Sequence, residues 1–443
     1  MIDDDDFIAE ISHCIAEKDE IKIKVLLKEM GNVSPQVAQR LLFEISKSDD
    51  DLAIPLLLDI QVHLPNVAHS IPTLMDVLYG KIHTLNDCRS IYENLMSVEE
   101  RCCFIEALCE YTGKDVSYFL IDVLTRETDV EILRSVLRTM EELKGPEFAS
   151  VVADFLYSED YKLVLQAIET LGRCVSENGI KALEGRAGSD MVLDRKIVGA
   201  LAEAATPNAI QALVNMLGST AAHLRNYSRV ALVHLKERAV EPLAKALNSD
   251  NKDIVIIALN TLGETGVPEA VKPIRRFLQA YPEDANVRFS AYESLGMLPV
   301  KVGAYTLTDG LSDEVETVRM AAAKAVDHLY DRMFEMGLKN ILEQNEHPQQ
   351  IVEAFLVSEC QKVFKALIGY EPFSKWVFSY FNEGHSINLL KLYAPLEPSG
   401  KLSKILSSSV EETVESEFQV CVVDDSRLLL RIYRKMLDEM GIS

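Results

Sequence analysis

Two adjacent carboxylates, Asp424 and Asp425, follow the short apolar run Val420-Cys421-Val422-Val423 and precede Ser426. Paired hard oxygens suit a divalent cation such as magnesium, which keeps several waters and takes one or two carboxylates. Ser426 can cap a helix. Leu429, Ile432, Tyr433, Met436 and Met440 then recur at helical spacing and form one apolar face, with Arg427, Arg431, Arg434 and Lys435 among them. A plainer reading of the same acids is a solvated helix N-terminus, where the helix dipole favours negative charge. Other reactive side chains form no constellation. Cysteines at 14, 88, 102, 103, 109, 174, 360 and 421 include no CxxC pair and no His/Cys cluster with zinc spacing, and most fall in apolar helical patterns, as buried reduced thiols do. His234 and His328 lie in helices near apolar neighbours and read as ordinary core or surface residues. His69 and His385 each precede a serine, with no transfer motif around them. Glycine-rich phosphate-binding patterns are absent.

Taken together, strand-like run, acidic pair and amphipathic helix, residues 418–443 resemble the opening strand and first helix of a response-regulator receiver domain. The resemblance covers only the start of such a domain. It implies that Asp424 and Asp425 help to hold Mg2+ while a histidine kinase delivers a phosphoryl group, as in two-component phosphorelay signalling. The phospho-accepting aspartate, the switch Ser/Thr and the lysine of a receiver belong to later strands. No catalytic residue is therefore assigned, and these 443 residues are not expected to be phosphorylated by this route. A lone strand with no sheet and a helix with nothing to cover are marginal. The expectation is that the segment begins a domain of a longer protein.

The elements that would carry this segment are helical. Residues 1–96 read as degenerate helical repeats, punctuated by Pro35, Pro55, Pro65 and Pro72 at or near helix starts. From 97 to 343 a period becomes visible. Small or apolar residues precede a leucine or valine at Leu171, Leu201, Leu235, Leu262, Leu295 and Val326, spaced 30, 34, 27, 33 and 31 residues apart. A second helix follows each, as in PNAIQALVNML (207–217), AVEPLAKAL (239–247) and PEAVKPIRRFL (268–278). Acidic turns such as Ser158-Glu159-Asp160, Ser249-Asp250, Glu283-Asp284 and Ser312-Asp313 precede the first helices, and Val287-Arg288 and Val318-Arg319 follow two of them. A period near 31 with two helices per repeat defines an α-solenoid. The acidic turn, Val-Arg, Ala and Leu-Gly resemble HEAT repeats of the short, armadillo-like helical kind. Alanine and glycine in these positions are expected to bring the two helices of one repeat close together.

The remaining boundaries follow from composition. Residues 344–394 hold Phe373, Trp376, Phe378, Tyr380 and Phe381, expected to form a helical cap on the solenoid core, or alternatively an aromatic docking surface. Residues 395–417 contain Pro395, Pro398, Ser399 and Gly400, with four glutamates at 411, 412, 415 and 417, and read as a linker with a short helix at 401–406. The expected fold class is thus all-α, an α-solenoid of HEAT-like helical pairs followed by a truncated α/β receiver-like segment at 418–443.

The net charge is −24, and the final twenty-six residues hold four acids and four bases, so the excess lies in residues 1–417. Such a chain repels nucleic acid and anionic lipid. That argues against a DNA glycosylase, a possibility raised by HEAT-like enzymes, because such an enzyme needs a basic DNA-binding face. A bilin lyase rests on fold alone. The acidic start MIDDDDFIAE is neither a secretory nor a transit signal, and no apolar run reaches the ~18 residues of a membrane span, so a cytoplasmic location is expected. The functional expectation is a non-enzymatic two-component adaptor: a scaffold that holds a protein partner, with a receiver answering to a histidine kinase. A purely structural interaction scaffold is the alternative.

Overall fold

Short polar side chains start the helices of this protein. In the computed structural model, which describes residues 4–28, 35–63, 85–95, 97–110, 114–299, 304–384 and 386–413, two of the expected acidic turns end in N-caps, Asp160 and Asp284. Asn251 caps the helix after Ser249-Asp250, whereas Val315, after Ser312-Asp313, makes no side-chain cap bond. Asp129 accepts the backbone N–H groups of Glu131 (2.9 Å) and Ile132 (3.3 Å). Asp160, Asp190 and Asp284 do the same for the second and third residues of their own helices. Each such cap satisfies otherwise orphaned donors and is worth about 1 kcal/mol. Ser176 and Thr206 cap second helices in the same way, and Ser97 forms a reciprocal capping box with Glu100.

The chain divides into two units, Met1–Ala246 and Leu247–Ser443. The first contains α1 (Asp4–Ala16), α2 (Glu20–Leu27), α3 (Pro35–Lys47), α4 (Asp50–His63), α5 (Leu85–Asn94), α6 (Val98–Ala107), α7 (Lys114–Arg126), α8 (Val130–Leu143), α9 (Ala149–Ala153), α10 (Tyr161–Cys174), α11 (Glu177–Arg186), α12 (Met191–Ala204), α13 (Pro207–Met216), α14 (Ala222–Leu235) and α15 (Glu237–Ala246). Helices α6, α8, α10, α12 and α14 pack one on the next as a first layer, and α7, α9, α11, α13 and α15 form a second. Pro35 opens α3 as expected, whereas Pro55 lies inside α4. Pro65 and Pro72 fall outside the described residues.

The second unit contains α16 (Lys252–Glu264), α17 (Val271–Gln279), α18 (Ala285–Met297), α19 (Ala304–Gly310), α20 (Glu316–His328), α21 (Arg332–Gln344), α22 (Pro348–Val357), α23 (Gln361–Leu367), α24 (Glu371–Asn382), α25 (Ile387–Tyr393) and α26 (Lys401–Thr413). Here α16, α18, α20, α22 and α24 stack in sequence. Phe373 and Phe381 of α24 are buried with Phe364 and Tyr393, while Trp376, Phe378 and Tyr380 are half-buried. The aromatic cluster therefore contributes core from one face of α24. The stretch read as a linker contains the full helix α26, longer than the short helix expected. Buried Glu397 anchors it by accepting the N–H groups of Ser399 (2.6 Å), Lys401 (2.7 Å) and Leu402 (3.2 Å), and Leu402 is itself buried. Every regular element among the described residues is a helix, and the strand expected over 420–423 lies outside them. Among the described residues the fold class is all-α, and the α/β part of the expectation falls on 418–443, outside them.

Two sequence readings change. Leu235 is half-buried, and Leu232 is fully buried in its place. The core positions are Leu171, Leu201, Leu232, Leu262, Leu295 and Val326, all at most 1% exposed. Their spacings of 30, 31, 30, 33 and 31 match those of the residues that start each first helix. The error came from Ala231, which imitated the repeat's alanine, whereas the equivalent position is the buried Ser228. The glycines also act elsewhere than expected. A Cβ on Gly172 would lie 2.8 Å from Cβ of Ala200, and one on Gly296 2.9 Å from Cβ of Ala325. These contacts join first helices of successive repeats, not the two helices of one repeat. At that approach the hydroxyls of Thr139 and Thr170 donate to the carbonyls of Ile105 (3.1 Å) and Leu137 (3.0 Å) on the preceding first-layer helix.

The Val-Arg arginines staple their own turns. Arg288 Nη1 donates to the carbonyls of Pro282 (2.8 Å) and Glu283 (2.9 Å), and Arg319 Nη1 to those of Asp313 (2.8 Å) and Glu314 (3.1 Å). Arg225 repeats the pattern on Ser219 and Thr220. Arg288 also makes a bidentate pair with Asp313, at 2.8 and 3.0 Å, and both side chains are 2% exposed. Removing one partner strands the other charge in the core. Arg288→Ala should therefore destabilise the second unit by about 3–5 kcal/mol in denaturant unfolding. A loss below about 1 kcal/mol, the scale of an exposed pair, would show that the staple holds nothing.

Candidate functional site

A groove of about 710 Å³ lies in the first unit, on the first-layer faces of α8, α10 and α12. Helical spacing places its residues. On α12, Val192, Arg195, Lys196, Gly199 and Glu203 recur at three- and four-residue intervals and face outward, while Leu193, Ile197 and Leu201 face the core. Glu169, Gly172 and Arg173 come from α10, and Glu141 from α8. The floor is low because Gly199 has no side chain, and a Cβ there would meet nothing within 4 Å.

Charges in the groove are paired across helices. Arg173 Nε lies 2.9 Å from Glu141, and its Nη2 lies 3.7 Å from Glu203. Lys196 Nζ lies 2.8 Å from Glu169. Gln166 donates to the second oxygen of Glu141 at 2.7 Å. Burial raises the pKa of Glu141 above the usual carboxylate range, and the Arg173 guanidinium and the Gln166 hydrogen bond offset part of that rise. Each of the three carboxylates thus faces a cation. Arg195, exposed at the groove wall, makes no hydrogen bond or ion pair with another described residue. Exposed apolar surface adjoins it: Met191 is 58% and Val192 55% exposed on α12, and Tyr161 is 45% exposed at the start of α10.

In a smaller hollow of about 240 Å³ between α5, α6 and α7 the arginines are paired. Arg89 and Arg126 both pair with Asp122, and Arg101 with Glu127, which also accepts the Tyr92 hydroxyl at 2.6 Å. Near the groove, Asp194 of α12 is completely buried. It accepts the Gly188 N–H at 2.8 Å and lies 2.7 Å from His223 Nε2.

The sequence singled out other residues. Asp424 and Asp425 lie outside the described residues, as do His69 and His385. His234 is exposed in the last turn of α14, and His328 is exposed at the end of α20, where its carbonyl accepts Lys362 Nζ at 2.8 Å. Neither belongs to a catalytic array. Among the described residues no group of three or more His, Cys, Asp or Glu could hold a metal. The groove residues were not anticipated. The available signal was a set of opposite charges on consecutive first helices, Glu141 with Arg173 and Glu169 with Lys196, close to one repeat apart.

Residues 240–327 match the family described as HEAT repeats. The match lies outside the groove and does not reach 418–443. No curated protein matches the chain. Among solved structures, an engineered protein is similar over 73% of this chain and 99% of its own, at 16% identity with a TM-score of 0.35. Human deoxyhypusine hydroxylase in complex with glycerol is similar over 63% of this chain and 96% of its own, at 15% identity with a TM-score of 0.25. Neither likeness transfers a chemistry. Among the described residues no helix is long and apolar enough to cross a membrane.

The thiols give a direct check on reactivity. Cys14, Cys88, Cys174 and Cys360 are buried, while Cys102, Cys103 and Cys109 are partly exposed, less enclosed than the sequence suggested. Burial pushes Cys102 up to about 11 and Cys174 up to about 12. For Cys102 at pH 7.5 the thiolate fraction falls roughly 300-fold below that of a free cysteine, and its higher intrinsic nucleophilicity restores roughly tenfold. Alkylation of Cys102 by iodoacetamide should therefore run about thirtyfold slower than for a free thiol at pH 7.5, accelerating steadily towards pH 10. Mass spectrometry of a time course reads this, and labelling at the free-thiol rate at pH 7.5 would contradict it.

Proposed function

We propose that this chain is a non-enzymatic protein-interaction scaffold. The observation that carries the reading is the open first-layer groove over α8, α10 and α12, whose outward side chains are not needed for the core. HEAT repeats at 240–327 support it, since repeats of this kind bury their interfaces against one another and leave extended faces for partners. The net charge of −24 speaks against nucleic acid and anionic membrane as the partner. A cytoplasmic setting fits described cysteines that form no disulfide with one another. A photo-cross-linking residue in place of Val192, on the first-layer face, should capture a discrete protein in cells. The same residue in place of exposed Lys245, on the second layer, should not. Equal capture from both positions, or none from either, would remove the scaffold reading.

A finer reading concerns 418–443. Val420 to Ser426 supports the start of a receiver in which Asp424 and Asp425 hold Mg2+ and through which a histidine kinase controls the scaffold's binding. The support is this motif alone. In a protein that carries the completed receiver, acetyl phosphate with Mg2+ should label it, and replacing both acids by asparagine should abolish labelling. Labelling indifferent to both acids would end this reading and leave the scaffold untouched.

A further inference from the structure

We propose that the groove over α8, α10 and α12 docks an extended peptide segment of a partner protein that places a carboxylate on Arg195 beside an apolar side chain on Val192 and Met191. The inference rests on the scaffold reading and names the chemistry of the partner at that site. Its first support is the charge balance. Arg173 faces both Glu141 and Glu203, and Lys196 faces Glu169, so the groove's three acids and three bases balance and Arg195 is the cation among them without a carboxylate partner among the described residues. This stands out in a chain of net charge −24, and it selects an acidic side chain over a basic one. A guanidinium presents a planar fork that takes a carboxylate through two parallel hydrogen bonds.

The second support is shape. Gly199 leaves the floor of α12 bare, with open space above it, so a peptide backbone can pass close to the helix. An occupant lying along this floor runs between the Arg173–Glu203 pair and the Lys196–Glu169 pair, whose polar atoms line the groove. The third support is the apolar edge. Met191 and Val192 at the N-terminal end of α12 and Tyr161 at that of α10 are all exposed. They offer burial to one apolar side chain next to the acid.

Fluorescence anisotropy on the full chain tests this with three named probes: a short fluorescein-labelled peptide of alternating glutamate and leucine, a lysine–leucine peptide of the same length, and a single-stranded oligonucleotide. The glutamate–leucine probe should bind in the micromolar range, a free energy of about −8 kcal/mol. Arg195→Glu should weaken it roughly tenfold or more. Gly199→Gln, which raises the floor without touching a charge, should weaken it as well. Both positions are solvent-facing, and unchanged thermal unfolding of the variants establishes that they fold. Equal binding of the lysine–leucine peptide or the oligonucleotide, or an Arg195→Glu variant that binds as the parent does, overturns the proposal. A partner still cross-linked from Val192 in the Arg195→Glu variant would overturn the acidic groove while leaving the scaffold reading intact.

Discussion

Successive first-layer helices in each unit approach until backbone nearly meets backbone, and much else in the fold follows from that distance. Gly172 faces Ala200, Gly263 faces Ser294 and Gly296 faces Ala325, each too close to admit a Cβ without movement. The approach lets Thr139 and Thr170 reach carbonyls of the preceding first-layer helix, so buried hydroxyls are satisfied between helices. It also brings long charged side chains on the outer face within ion-pair range of the next helix, as with Arg173 and Glu141. Core leucines, cross-helix hydroxyls and surface pairs therefore share one repeat length.

The turns between repeats are held by a different device, located at the fourth residue of the first helix. Arg225, Arg288 and Arg319 occupy this place and each binds two carbonyls of its own preceding turn. Asp194 occupies the equivalent place in α12. It performs the converse task, accepting the N–H of Gly188 six residues back and pairing with His223. A buried ionised group at this position needs complementary partners whatever its sign. The repeat therefore specifies a satisfied turn, and the residue type adapts to which backbone groups the turn exposes.

The groove is a by-product of this regularity. Outward positions on α8, α10 and α12 are released from packing, so their chemistry can vary without cost to the fold. The HEAT match covers 240–327, where the Val-Arg and Leu-Gly signals are strongest, and the groove lies before it. Resemblance identifies how the helices stack. It carries no information about Arg195, Lys196 or Gly199, because those side chains are not what makes a repeat recognisable.

The sequence by itself determined the helical class, the period near 31 residues and the acidic turns that hold Asp160 and Asp284. These are local or periodic properties, written in consecutive residues. It also placed Asp424 and Asp425 in a receiver-like motif, which lies outside the described residues. Register was decided by tertiary structure. Ala231 and Leu235 imitate the repeat in sequence, and only burial shows that Ser228 and Leu232 stand in the core. The same holds for Arg288 with Asp313, twenty-five residues apart, and for the helix α26 within a proline- and glutamate-rich stretch. The groove too was invisible in one dimension. Its charges are separated by close to a full repeat, and only the packing of α8, α10 and α12 shows which carboxylates are already matched and that Arg195 is not. Periodicity encodes which face of a helix is buried, but the pairing of one face with another depends on distances that only the assembled stack defines.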